Sequence, residues 1–99
     1  MVVTFERFVE SLGDAGPPEG LSKPLEALWW AGKNDWARAH KIAQDGEGTP
    51  AYDRVHAYLH RVEGDLPNAR YWYRQAAQAE FEDTLENEWR VLVRGLLTP

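Results

Sequence analysis

The chain has 99 residues, 43% of them apolar and 27% charged, with a net charge of −5 and no cysteine. That composition describes one globular domain with a modest core, and the acidic balance argues against a nucleic-acid backbone or an anionic membrane surface as partner. The missing thiols exclude disulfides and cysteine chemistry and fit a reducing, cytoplasmic setting.

Thr4 is placed to cap a short first helix whose Phe5, Phe8, Val9 and Leu12 share one face, with Gly13 ending it. Residues 13–20, Gly-Asp-Ala-Gly-Pro-Pro-Glu-Gly, read as a loop. Ser22 caps the next helix, with Pro24 in its first turn, Leu21, Leu25, Leu28 and Trp29 as its stripe, and Gly32 closing it. Asn34 or Asp35 opens a third helix that turns Trp36, Ala39, Ile42 and Ala43 inward, and residues 45–50 break it. Thr49 and Pro50 start a central helix with Val55, Tyr58, Leu59 and Val62 inward, stopped by Gly64. Asp65 caps a fifth helix whose inner face holds Leu66, Ala69, Trp72, Tyr73 and Ala76. Thr84 opens the last, with Leu85, Trp89, Leu92, Val93 and Leu96 inward. Glu86 and Glu88 in its first turn and Arg94 in its last complement the helix dipole. No segment alternates with period two, and no apolar run approaches the ~20 residues a membrane span needs. The start, Met1-Val-Val-Thr-Phe-Glu-Arg, lacks the pattern of a secretory signal.

Two of these helix starts repeat. Asp35 and Asp65 stand 30 residues apart, as do Ala39 and Ala69. A period of that size points to stacked helix pairs, with small residues where two backbones come close. The spacing of Gly64-Asp65-Leu66, Ala69, Tyr73 and Ala76 resembles a tetratricopeptide repeat, and Asp35, Trp36, Ala39 and Ala43 form a weaker earlier copy. The first helices of the pairs depart from that pattern, whose large apolar positions would fall on Asp53 and His56. Across residues 21–97 the chain also resembles a group of short bacterial proteins of uncharacterised function, through the stretches Val55–Arg61, Glu63–Asp65 and Asn68–Arg74. The resemblance implies an all-α fold of five to six helices, with short antiparallel pairs stacked as a tetratricopeptide-like solenoid. The expected plan is a single domain over 1–99. Residues 1–20 form an N-terminal helix and Gly/Pro loop, 21–79 two helix-pair repeats, and 80–99 a C-terminal capping helix. Two repeats are fewer than the three or more a solenoid usually needs, so the terminal helices or a second copy must cap the stack. Homodimerisation is therefore an open alternative.

Three side-chain sets could carry function. Asp53, His56, His60 and Glu63 are spaced three, four and three along the central helix, within a band of roughly 80°. Imidazoles and carboxylates one turn apart can reach one metal ion, and His40 on the neighbouring helix could add a ligand if it points the same way. The alternative is a polar network in which the acids bond the histidines or nearby arginines. The second set is aromatic: Trp30 and Tyr71 point off their apolar stripes, where they can anchor a partner. The third is Arg61, Arg70 and Arg74, placed to hold a carboxylate or to form internal ion pairs. No Gly-x-Ser-x-Gly, His-Glu-x-x-His or phosphate loop is present, so neither enzymatic activity nor a cofactor is expected. The sequence points to a noncatalytic module that binds a protein or peptide through Trp30, Arg61, Arg70, Tyr71 and Arg74. A metal or acid–base site on His40, Asp53, His56, His60 and Glu63 is the alternative, and small-ligand capture between helices the third reading.

Overall fold

The computed structural model describes residues 3–97 and is all-α among them. Its six helices are α1 (Phe5–Ser11), α2 (Lys23–Gly32), α3 (Trp36–Asp45), α4 (Pro50–Val62), α5 (Leu66–Gln75) and α6 (Leu85–Leu97). Met1, Val2, Thr98 and Pro99, at the ends of the expected terminal segments, lie outside the described residues. None of the described helices is long and apolar enough to cross a membrane.

Local chemistry sets most of the boundaries. Side-chain oxygens of Thr4, Ser22, Asp35, Asp65 and Thr84 accept backbone N–H groups three residues on, at 3.1–3.4 Å. Thr49 departs from expectation, because its side chain makes no capping bond. Asp53 instead reaches back to accept the Gly48 N–H at 3.1 Å, which holds the loop onto the first turn. The end of α2 also differs. Gly32 is the last helical residue, and Asn34 takes the left-handed position at φ 62°. Asn34 N–H bonds the Ala31 carbonyl and Asp35 N–H the Trp30 carbonyl. Gly64, at φ 85°, closes α4 in the same way, with bonds to Arg61 and His60 carbonyls. Asn34 and Gly64 are thus the equivalent turn residues. Gly32 serves packing instead: a Cβ there would stand 3.0 Å from Leu12 Cδ2 and 3.1 Å from the Trp89 ring.

The repeat forms two hairpins, α2 with α3 and α4 with α5, joined through contact of α3 with α4. Ala39 is 0% exposed and Ala69 2%, so both small residues lie where neighbouring elements close on them. α6 folds back across α2 and α4, and α1 packs on α6. One main core, with Phe8, Leu28, Trp29, Val55, Leu59 and Val93 at its centre, lies between these elements. A smaller cluster of Ala57, Ala69 and Tyr73 joins α4 to α5. The indole N–H groups of buried Trp29 and half-buried Trp89 find acceptors, Ser11 Oγ at 2.9 Å and the Leu28 carbonyl at 2.8 Å.

Four residues expected to face inward do not: Val9, Val62, Leu66 and Leu85 are 36–47% exposed. Helical periodicity identified their apolar faces, but the helix arrangement leaves those faces uncovered.

Candidate functional site

α4 lies at the centre of the molecule, against α2, α3, α5 and α6. Its polar residues are therefore drawn into the interior on two sides, and each side forms a cluster.

The first cluster gathers histidines. His56 and His60, one turn apart on α4, face His40 on α3, with ring centroids 4.8–5.3 Å apart. His56 Nε2 and His40 Nε2 are 3.0 Å apart, so one of these nitrogens carries a proton and the other accepts it. His60 Nδ1 lies 2.6 Å from Glu63 Oε1. A carboxylate only accepts, so Nδ1–H is the donor, and in the neutral ring Nε2 holds the lone pair. Trp36 stacks on His40 at 4.6 Å, and Trp72 of α5 stacks on His56 at 4.0 Å. His56 is 2% exposed, and its Nδ1 has no hydrogen-bond partner. Burial, then the charges of His60 and His40, push the His56 pKa down to about 4. Burial and His60 also lower that of His40, against the opposing pull of Glu63 and Glu47. One nitrogen from each of the three histidines lies within 4.8 Å of the others, and His60, Glu63 and Asp65 form a second group of the same reach.

Of the five residues expected to form a polar or metal cluster, His40, His56, His60 and Glu63 come together. Asp53 shares their helical face but sits in the first turn, where its carboxylate is engaged by the Gly48 N–H.

The second cluster surrounds Glu88 of α6, which is completely buried. Arg54 Nη1 lies 2.8 Å from Oε2 and Arg61 Nη1 2.7 Å from Oε1. Tyr73 Oη donates to Oε2, and Arg61 Nη2 also donates to the Asp83 carbonyl. Burial, together with the Glu88 hydrogen bond and charge, raises the Tyr73 pKa to about 12. Burial and Glu88 do the same for Tyr58. Sequence reading treated Glu88 as a dipole residue and missed this role. A signal was present, since position 88 falls on the apolar stripe three after Leu85 and four before Leu92.

The residues expected to contact a partner are dispersed. Arg61 is held by Glu88 and Asp83. Trp30 is half-buried under Arg38, whose guanidinium lies 4.3 Å from the ring centroid. Tyr71 and Arg74 are exposed on α5, and Arg70 pairs with Glu80 at 3.3 Å.

A groove of about 630 Å³ opens on another face, among α1, the α2–α3 turn, the end of α4 and the start of α6. Phe5, Val9, Leu12, Trp36, Tyr58, Val62, Leu85 and Trp89 supply most of its wall, and Asn34, Glu86 and Arg90 its polar atoms. The aromatic walls are pinned: Trp36 donates to the Leu59 carbonyl at 2.7 Å and Trp89 to that of Leu28. Val9, Val62 and Leu85, the residues expected in the core, are the exposed aliphatics of this groove. Compared with protein families, with curated proteins and with solved structures, the chain matches none.

Proposed function

We propose that the chain is a noncatalytic, cytoplasmic interaction module of tetratricopeptide type that takes the apolar face of a helix from another protein into this groove. The observation that carries the reading is the groove itself. It is apolar, walled by fixed aromatic rings, and edged by Val9, Val62 and Leu85, which remain in water unless something covers them. A helix inserting apolar residues between α1, α4 and α6 would bury those side chains without rearranging the walls. The acidic chain and the few polar groups in the groove suit an occupant read by shape and apolar contact rather than by charge.

The relocation from the face first expected rests on Arg61. Its two contacts to Glu88 and Asp83 would have to break before it could hold a partner's carboxylate. The groove volume also lies in the range of small-molecule sites, about 300–1,000 Å³, so an apolar small ligand is the competing occupant.

Photo-crosslinking residues placed singly at positions 9, 62 and 71 in cells of the source organism separate these readings. The expected result is one protein captured from positions 9 and 62, lost when Leu85→Asp is added, and absent from position 71. Capture from position 71 alone, or none from 9 and 62, would overturn the groove as the docking surface.

A further inference from the structure

We infer that His40, His56 and His60 form a three-imidazole binding site for a divalent late-transition metal ion, with one coordination position left for an outside ligand. The inference stands on the histidine cluster and shares only Trp36, which stacks on His40, with the groove.

The fold leaves these rings unexplained. A packed histidine normally satisfies both nitrogens, or is replaced by an apolar ring. His56 does neither: Nδ1 has no partner, and Nε2 meets only the Nε2 of another imidazole. Two such nitrogens facing each other share a single proton, and a cation between them would satisfy both lone pairs. His60 completes the set from one turn away, with its ring stacked on that of His56 at 4.8 Å.

Distances fit an ion of zinc's size. Tetrahedral zinc, with Zn–N bonds of about 2.0–2.1 Å, holds its nitrogens about 3.3–3.4 Å apart. The His40–His56 pair stands at 3.0 Å and has to open slightly. The widest pairing within the trio, up to 4.8 Å, has to close by an adjustment of side-chain torsions. Metal binding moves the shared proton to the far nitrogen of the ring that carries it, so both rings stay neutral and no other reactant is needed.

The surroundings are those a metal centre uses. Glu63 holds His60 through Nδ1, which fixes the tautomer and aims Nε2 away from the carboxylate. Trp36 and Trp72 clamp the outer faces of His40 and His56. His40 is half-buried, which leaves an approach from solvent, and exposed Glu63 and Asp65 place negative charge beside His60. Three nitrogen ligands without sulfur suit zinc, cobalt, nickel or copper(II) rather than magnesium or calcium. Three protein ligands leave a tetrahedral ion one open position.

The test uses the full chain, stripped with chelator and titrated with zinc by calorimetry and with cobalt(II) by visible absorption. One ion per chain is expected, with the intensified cobalt absorption of a tetrahedral nitrogen site. His40→Ala should weaken zinc binding by more than about 100-fold, and Glu63→Gln by about 10–100-fold. His40 is partly exposed on α3 whereas His56 is buried, so His40→Ala is the milder variant, and circular dichroism checks that it stays folded. No binding by the unmodified chain would overturn the inference. So would affinity that survives His40→Ala and falls with Asp65→Asn, which would put the ion on the exposed acids instead.

Discussion

Two buried polar clusters flank the same helix, and they are built on opposite principles. Around Glu88 a full charge is matched: two guanidinium groups and a phenol converge on one carboxylate, at 2.7 and 2.8 Å for the nearest nitrogens of Arg61 and Arg54. Around His56 nothing is matched in this way. Its neighbours are imidazoles and an indole, and one of its nitrogens has no partner. The charge network ties α6 and α5 to α4, although Arg54 Nη1 is held by its ion pair with Glu88 alone and makes no aligned hydrogen bond. A cluster of neutral imidazoles with one buried nitrogen left unpartnered adds little to the fold and is suited to something added from outside.

The largest expected effect follows from that contrast. Glu88→Ala empties a fully buried site and leaves the half-buried Arg54 and Arg61 without their counter-charge, which should cost about 3 kcal/mol, measured by urea unfolding. His56→Phe keeps the stack on Trp72 and removes the unpartnered nitrogen together with the one that meets half-buried His40. In metal-free protein it should change stability by less than about 1 kcal/mol in either direction. Equal losses in the two variants would dissolve the distinction between a structural network and a site.

A smaller effect should appear at alkaline pH, on the Glu88 side only. Tyr58 and Tyr73 ionise near 12 in the folded chain, against an ordinary value of 10.0. A folded-state pKa raised above the unfolded one contributes stability that is complete below pH 10 and is lost as the pH climbs through 12. Ultraviolet titration of tyrosinate should therefore show two of the four tyrosines lagging, with unfolding accompanying their ionisation. Glu88→Gln removes the carboxylate charge and should bring both groups only part of the way down from 12, because burial, the larger cause, remains. Ionisation of all four together in the parent chain would mean that neither burial nor Glu88 acts on them.

How far each cluster can be read from sequence depends on how many helices build it. The caps at Ser22, Asp35 and Asp65 are local, and so is the face shared by His56, His60 and Glu63, because helical spacing alone decides them. Ala39 and Ala69 carry the hairpin packing through their 30-residue period. Whether His40 joins the trio depends on α3 lying against α4, which no spacing within either helix states. Glu88 is harder again: its partners come from α4 and α5, and the charge of the residue concealed a position on the apolar stripe. The groove is built from positions 5 to 90, and periodicity tells which face of a helix is apolar without telling whether another helix covers it. Val9, Val62 and Leu85 show that difference directly.

The two sides also differ in backbone strain, and this yields the smallest effect. Gly64 turns the chain beside His60 at φ 85°, with open space where a Cβ would be. Ala77 ends α5 with an equivalent pair of bonds, to the Arg74 and Tyr73 carbonyls, but at φ 56° with a side chain that disfavours it. Gly64→Ala should cost about 1 kcal/mol through that conformation alone. Ala77→Gly should gain about 0.5 kcal/mol, because the relief at φ > 0 is partly offset by the added freedom of glycine in the unfolded chain. Thermal unfolding of the two single variants and the double variant would show opposite signs that add, since the turns close opposite ends of α5 and share no side-chain partner. A loss with Ala77→Gly would mean that the Ala77 methyl makes a contact that outweighs its backbone strain, and the turn leading toward Asp83 and Glu88 would then be held by packing as well as by hydrogen bonds.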